Sequence, residues 1–181
     1  MAVVEIDNLK KRYGSNEALA GVSFSVDNGE IFGLLGPNGA GKTTCIECLE
    51  GLRDPSEGTI SVLGLDPAID GRKLRRRIGM QLQESALPND IKVWEALDLY
   101  ASFYDNPVDW ELLLQRFGIA EKRDSRFSSL SGGQKQRLYI ALALINDPEI
   151  VFFDEITTGL DPQSRRVMWD LMKDIRDQGK T

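Results

Sequence analysis

The stretch from Ile31 to Thr44 constrains the fold and chemistry of this chain more than any other. Its first part, Ile31 to Leu35, is a continuous apolar run bounded by glycines, which predicts a buried strand. The run leads into a segment that matches G-x-x-x-x-G-K-[ST], the phosphate-binding loop found between a strand and a helix. The residues of this loop are Gly36, Pro37, Asn38, Gly39, Ala40, Gly41, Lys42, Thr43 and Thr44.

The residue types in this loop suit a phosphate. The glycines allow a tight turn in which successive backbone N–H groups point inward at the anion. Lys42 adds a positive charge for the β- and γ-phosphates, the Thr43 hydroxyl can ligate Mg²⁺, and the following helix presents its positive dipole end. A glycine-rich turn can also be only a turn, but the full match behind a strand favours binding of a nucleoside triphosphate.

Composition bounds the class of protein. With 181 residues and 41% hydrophobic content, the chain is long enough to bury a core of its own. The net charge of −6 argues against a surface built to hold nucleic acid. No apolar run is long enough to cross a bilayer and no signal peptide opens the chain, so we expect a cytoplasmic protein.

The two cysteines, Cys45 and Cys48, lie one turn apart on the helix that follows the phosphate loop. A C-x-x-C spacing can indicate metal binding or redox chemistry. There is no second pair and no histidine in the sequence, so two buried reduced thiols are the favoured interpretation.

The first third of the chain is rich in strand patterns. Val3 to Leu9 and Val22 to Val26 alternate with period two, and the turn at Asp27 to Gly29 leads to the phosphate-loop strand. Another strand is predicted from Thr59 to Leu63. These patterns predict an N-terminal antiparallel β layer attached to an α/β core.

The middle of the chain changes to helical periodicity. The basic cluster Arg72 to Arg77 can dock on phosphates or anionic lipid, although a charge run is usually a solvated helix face. A strand is predicted from Ile78 to Glu84, followed by helices over Val93 to Tyr104 and Asp109 to Phe117. The tryptophans of these helices, Trp94 and Trp110, are interpreted as core or interface rings. This segment is predicted to be a helical insertion in the α/β core.

Two further segments carry polar residues where ligands bind. Ser131 is a good N-cap for a helix that runs to Asn146, and such a helix start is either a second anion site or an ordinary capped helix. The apolar strand Ile150 to Phe153 runs into Asp154 and Glu155, which places these carboxylates at the ligand-binding edge of an α/β sheet. There Asp154 can hold Mg²⁺ through water and Glu155 can polarise an attacking water. A last amphipathic helix follows Asp161 and Pro162 and ends near Gly179.

The order GPNGAGKT, Gln83, LSGGQ, IVFFDE, TGLD resembles that of the ATP-binding subunits of ABC transporters and covers nearly the whole chain. The resemblance implies a P-loop NTPase core of mostly parallel sheet with flanking helices. It divides the chain into a β layer and phosphate-loop core (1–84), a helical insertion with the signature (85–146), and the Asp154 strand with its following helix (147–181). The segments GLRDPSEGTISVLG and LSGGQKQRLYIALALINDPEIVFFDE resemble the branch that serves drug, lipid or polysaccharide efflux.

The resemblance also implies residue roles. Tyr13 is similar to the aromatic residue that stacks on adenine, and Gln83 to the glutamine that senses the γ-phosphate and Mg²⁺ and faces the membrane subunit. Two subunits are expected to close head-to-tail on ATP, with a permease as the further partner at the inner face of the cell membrane. The residues expected to reach the partner subunit's nucleotide are Ser131, Gly132, Gly133 and Gln134, with Asp161 linking the two sites.

Two departures from the family pattern keep three hypotheses open. Ile156 follows the acid pair where most relatives have proline, and the switch histidine expected after the last helix is missing, since the chain has no histidine. The leading hypothesis is an ATP-hydrolysing transporter motor. The others are a soluble ABC ATPase of DNA repair or translation, and a nucleotide-binding module that does not turn over.

The end of the chain raises a further expectation. Parallel strands come in βαβ units, so another strand is expected after Gly179, between the phosphate-loop strand and the Asp154 strand. Without it the sheet would keep a slot with unpaired backbone groups. We expect this slot to be filled by residues beyond Thr181, by another part of the chain, or by a swapped second copy.

Overall fold

The computed structural model describes residues 1–81, 87–154, 156 and 161–181. These residues form two compact units, one of Met1–Arg76 with Arg176–Thr181 and one of Arg77–Ile175. In chain order the elements are β1 (Ala2–Tyr13), β2 (Asn16–Asp27), α1 (Lys42–Leu49), β3 (Glu57–Val62), α2 (Pro67–Leu74), β4 (Ile78–Gln81), α3 (Val93–Ala101), α4 (Trp110–Arg116), α5 (Gly132–Ala143), β5 (Ile150–Phe153) and α6 (Pro162–Asp177). Two 3₁₀ turns, Ala120–Lys122 and Phe127–Ser129, lie between α4 and α5.

The first unit is built on a three-stranded antiparallel sheet in the order β2-β1-β3. Alternation along β1 puts Val4 and Ile6 on the buried face, because successive side chains of a strand point to opposite sides. A register irregularity between Ile6 and Leu9, where Asn8 has a φ of 49°, changes the phase of the strand so that Leu9 is buried as well. Helix α1 contacts β2 and β3, and it buries Cys45, Cys48 and Leu49. The predicted antiparallel β layer is therefore confirmed, as are its three strands.

The predicted strand Ile31 to Leu35 is wrong for the described chain. These residues have no regular secondary structure, and Ile31, Phe32 and Leu35 are 40%, 42% and 92% exposed. An extended segment becomes a strand only by hydrogen bonding to a neighbour, and no described segment pairs with this one. Phe32 stacks on Phe24 of β2 with ring centroids 4.8 Å apart. The described part of the chain thus supplies no strand beside the segment.

The second unit combines a parallel strand pair with helices. β4 and β5 pair in register from Ile78 and Ile150 to Gln81 and Phe153, as the two predicted strands require. The predicted helices are present as α3, α4, α5 and α6. Of the strand predicted from Ile78 to Glu84, residues Leu82 to Glu84 lie outside the described residues. The largest fully buried side chains of the second unit are those of Ile78, Leu97, Leu114, Phe117, Ile119, Leu138, Ile140, Ile145 and Met168.

Polar contacts tie the edges of the second unit together. Arg77 makes a two-point contact with Glu149, with Nε to Oε1 at 2.6 Å and Nη2 to Oε2 at 2.9 Å. Arg77, which belongs to the basic cluster predicted to form a solvated helix face, is therefore paired with an acidic residue. Arg123 lies 5.7 Å from the Trp94 ring and 5.6 Å from the Trp110 ring, so both partly buried rings pack on one cation.

The close approach of β4 to the end of α5 generates a stability prediction. A Cβ on Gly79 would lie 2.0 Å from the Ala143 carbonyl oxygen and 3.1 Å from Pro148. Gly79→Ala should therefore lower the free energy of unfolding by at least about 2 kcal/mol in urea titrations, because strand and helix must separate. The matched control is Gly33→Ala, whose Cβ would meet no atom within 4 Å. Equal stability of both variants would contradict the packing argument.

Candidate functional site

The phosphate loop lies against β2 and depends on glycine for two reasons. Gly39 and Gly41 have φ angles of 82° and 86°, a left-handed conformation that side chains disfavour. At Gly41 a Cβ would also lie 2.3 Å from the Ala18 carbonyl oxygen and 2.8 Å from the Leu19 side chain. The turn that begins α1 is thus held on the sheet by a contact that only glycine permits.

The start of α1 is open to an anion. Gly41 is the N-cap and has no side chain to bond the first N–H groups of the helix. By contrast, α2, α4 and α5 are capped by Asp66, Asp109 and Ser131. The N–H groups of a helix start need an acceptor, and an uncapped start beside a glycine-rich loop suits a phosphate.

Lys42 is the first residue of α1, and its ammonium is bonded to the loop itself. Its Nζ donates to the carbonyl oxygens of Gly36 and Pro37 at 2.9 and 3.0 Å. These bonds hold the positive charge over the turn, and the first turn of α1 contains no acidic residue that would oppose an anion. Thr43 and Thr44 follow in the same turn and are partly buried.

Tyr13 ends β1 and is 41% exposed. Two cations lie against its ring, with Lys11 Nζ at 5.3 Å and the Arg53 guanidinium carbon at 5.6 Å from the centroid. Sequence reasoning singled out Tyr13 but missed these neighbours. Lys11 could have been found from its spacing, because residues two apart on a strand share a face, whereas no local pattern indicates Arg53.

The signature segment of the second unit begins α5 with a capping box. The Ser131 hydroxyl accepts from the Gln134 N–H at 3.3 Å, and the Gln134 side-chain oxygen accepts from the Ser131 N–H at 2.9 Å. The predicted N-cap is confirmed. Gly132 is exposed and has no neighbouring atom within 4 Å of an added Cβ, and Gly133 follows it into the first turn.

The acidic residues lie where strand and helix patterns placed them. Asp154 follows β5 directly and is 7% exposed, with its N–H 3.4 Å from the Gln81 carbonyl oxygen. Asp161 precedes α6, and its carboxylate accepts from the Gln163 N–H at 2.9 Å. Ile156 is partly buried. Two predicted site residues, Gln83 and Glu155, lie outside the described residues.

The donor chemistry fits the expected ligands. Tyr13 and the phosphate loop belong to the first unit, and the signature, Asp154 and Asp161 belong to the second. The oxygens of Thr43 and Asp154 are of the hard type that Mg²⁺ prefers. In residues 1–81, 87–154, 156 and 161–181, no cluster of three or more His, Cys, Asp or Glu side chains is arranged to hold a metal by itself. None of the described helices has the length and apolar content of a membrane span.

Residues 19–158 match a protein-family model described as ABC transporter. Among curated proteins, the Nod factor export ATP-binding protein I of Burkholderia orbicola (strain AU 1054) is 42% identical, aligned over 100% of this chain and 62% of the relative. The protein of the same name from Rhizobium etli (strain ATCC 51251) is 38% identical over 100% of this chain and 59% of the relative. The chain thus spans about three fifths of the length of these relatives.

Solved structures show the same fold. One described as the ADP conformation of an ATP-binding cassette of an ABC transporter has a TM-score of 0.88 at 24% identity, covering 100% of this chain and 79% of that one. A structure described as an ATP binding subunit of an ABC transporter has a TM-score of 0.84 at 30% identity, covering 98% and 76%. These likenesses confirm the predicted P-loop fold with its antiparallel sheet and helical content.

The buried thiol behind the loop generates a pH prediction. Burial raises the pKa of Cys45 from its ordinary 9.0 to about 11, with a smaller contribution from the charge of Cys48. The raised pKa means that the folded state holds the proton more tightly. The contribution of the protonated Cys45 thiol to folding stability is fully present below pH 9 and is lost as the pH rises toward 11.

Cys45→Ala should remove this component from the pH dependence of unfolding. Urea titrations from pH 8 to 11 should show the wild-type free energy of unfolding falling by about 2 kcal/mol more than that of the variant. The titrating groups that do not interact with Cys45 are the same in both proteins and cancel in the comparison. Parallel pH profiles would show that Cys45 is not protected in solution.

Proposed function

The chain belongs to the ABC transporter family, and on that premise we propose that it binds ATP with Mg²⁺ and hydrolyses it as the motor subunit of an export permease. The observation that carries the nucleotide site is the uncapped start of α1, with Gly41 packed on β2 and Lys42 held over the loop. The backbone N–H groups and the Lys42 ammonium would together form a phosphate cradle.

Binding would follow from the order of these residues along the loop. The N–H groups from Gly39 to Thr44 would bind the β-phosphate, and Lys42 would exchange its loop carbonyls for β- and γ-phosphate oxygens. Thr43, Asp154 and Gln83 would hold Mg²⁺, which when bound offsets the charge of the phosphates. Tyr13 would stack on the adenine ring.

Turnover would depend on the carboxylates after β5. Glu155 is assigned as the general base that orients and polarises the attacking water, with Gln83 sensing the γ-phosphate. A second candidate function is a module that binds the nucleotide without turning it over. Measuring ATP binding and phosphate release on the same protein separates the two.

Assembly would follow from the division of the site. We assign the signature residues Ser131, Gly132, Gly133 and Gln134 to the nucleotide of a second copy, with Asp161 between the two sites, so that ATP closes a head-to-tail dimer. The relatives named for Nod factor export support export as the direction. The remaining partner would be an integral-membrane permease, which places the chain at the inner face of the cell membrane. No nucleic acid is assigned as partner.

Lys42→Ala should weaken ATP binding about a hundredfold or more, because two charge-assisted contacts with phosphate are lost. Isothermal titration calorimetry with MgATP measures the change, and circular dichroism checks that the fold remains. The matched control is Lys73→Ala, which removes an exposed lysine paired with Asp70. An unchanged dissociation constant for Lys42→Ala would overturn the phosphate-loop assignment.

Glu155→Gln separates binding from chemistry in the same assay. It should retain ATP affinity and release no phosphate, because only the proton-accepting group is changed. A variant that neither binds nor hydrolyses ATP would show that Glu155 is not the base. Binding without phosphate release by the wild type itself would favour the second candidate function.

Ser131→Arg should leave ATP binding by the single chain intact and prevent the ATP-dependent dimer, since the side chain would block the second copy's γ-phosphate. Light scattering in the Glu155→Gln background measures the mass. The substitution also removes the α5 N-cap, at a cost of about 1 kcal/mol, so melting curves accompany it. Ser128→Arg, an exposed site just before the signature, is the control for charge and bulk. ATP-dependent dimers of Ser131→Arg would refute the composite site.

A further inference from the structure

The Tyr13 cluster consists of Tyr13, the two cations against its ring and the two residues that bond these cations: Lys11, Tyr13, Glu47, Arg53 and Asp54. Both Lys11 and Arg53 lie within 6 Å of the ring centroid, at 5.3 and 5.6 Å. A cation at this distance is attracted to the negative face of an aromatic ring. The cluster contains none of the phosphate-loop residues, although Glu47 lies on α1, the helix that follows the loop.

Arg53 is fixed by helix α1 through backbone and side chain. The helix ends in a Schellman motif: Gly51 has φ 68°, the Leu52 N–H donates to the Glu47 carbonyl at 2.9 Å, and the Gly51 N–H donates to Cys48 at 3.2 Å. The Arg53 N–H donates to the same Glu47 carbonyl at 3.2 Å. The guanidinium then turns back to the Glu47 carboxylate, bonding through Nε and through Nη2 at 3.4 Å.

Lys11 is fixed as well. Its Nζ donates to the carbonyl oxygen of Asp54 at 2.6 Å, next to Arg53. A half-exposed ring at the end of a strand would otherwise exchange between rotamers, and ordering it would cost entropy when a ligand binds. Two tethered cations against the ring reduce that freedom before the ligand arrives.

We propose that Arg53, held by Glu47, is a positioning residue that fixes the Tyr13 ring as the stacking surface for the base of the bound nucleotide. The inference rests on the proposed ATP binding. Its physical basis is that Glu47 stands five residues after Lys42, about 7.5 Å along the axis of α1. Helix α1 therefore carries both Lys42, which is proposed to bind the phosphates, and Glu47, which holds Arg53 beside the Tyr13 ring.

The base is what separates this role from a general effect of charge. Inorganic tripolyphosphate carries the phosphates of ATP without ribose or adenine. A residue that acts through Tyr13 changes the affinity for ATP alone, whereas a residue that attracts phosphate changes the affinity for both ligands. Calorimetry of the full 181-residue chain with each ligand in the presence of Mg²⁺ makes this comparison.

Arg53→Gln should weaken ATP about threefold to fivefold, the factor expected for loss of one exposed cation–π contact, and leave tripolyphosphate unchanged. Arg12→Gln is the matched control, because Arg12 adjoins Tyr13 but pairs with Glu17 and Glu57. That variant should change neither affinity. Thermal melting of each variant checks that the fold is kept.

A double-mutant cycle tests the route through the ring. Tyr13→Ala should weaken ATP about tenfold, and adding Arg53→Gln to it should cause no further loss. Equal weakening of both ligands by Arg53→Gln, no change with either, or the same loss in the Tyr13→Ala background would each overturn the inference while the phosphate site stands. If the wild type bound neither ligand, the proposed function would fall, and the inference with it.

Discussion

The contact between Gly41 and the backbone of β2 is the constraint on which the rest of the candidate site depends. A left-handed φ of 86° turns the chain into α1 at the one point where the Ala18 carbonyl leaves no room for a Cβ. The helix begins at this turn, and the ammonium of its first residue, Lys42, is bonded to the Gly36 and Pro37 carbonyl oxygens of the loop. The same helix then carries the buried thiols on its inner side and Glu47 near its end. The proposed phosphate binding and the packing of the core thus depend on the same short helix.

Local patterns were sufficient to predict the elements whose hydrogen-bond partners lie within the described chain. The strands of the antiparallel layer follow from alternation, and the start of α5 follows from a serine with glutamine three residues later. Ile31 to Leu35 failed for the opposite reason. Apolar character predicts burial, but a strand needs a partner, and partners are set by distant parts of a chain. In the described residues this segment has none, so its side chains remain exposed.

The residues of the candidate site also differ in whether local sequence was sufficient to predict them. The loop residues could be assigned from sequence because a phosphate cradle is contiguous, with each glycine at a set distance from the lysine. Tyr13 was assigned from resemblance to a family, since an aromatic residue at the end of a strand carries no chemical signal by itself. Arg53 and Glu47 escaped both approaches. Arg53 is forty residues from Tyr13, and only the fold of the first unit brings them together. Such side-chain contacts depend on how α1 ends, which composition and spacing do not encode.

The two helix starts of the proposed site differ in a way that suits opposite sides of one phosphate chain. At α1 the N-cap is a glycine, which has no side chain to bond the start of the helix. At α5 the Ser131 hydroxyl accepts the bond from Gln134, which uses one of its lone pairs. A hydroxyl has a proton to donate besides two lone pairs, so capping the helix leaves the Ser131 O–H free to reach a phosphate oxygen. Helix capping and the proposed phosphate contact therefore do not compete at this serine. Because removal of the Ser131 oxygen would affect both, the folding of a Ser131 variant must be measured before its assembly is interpreted.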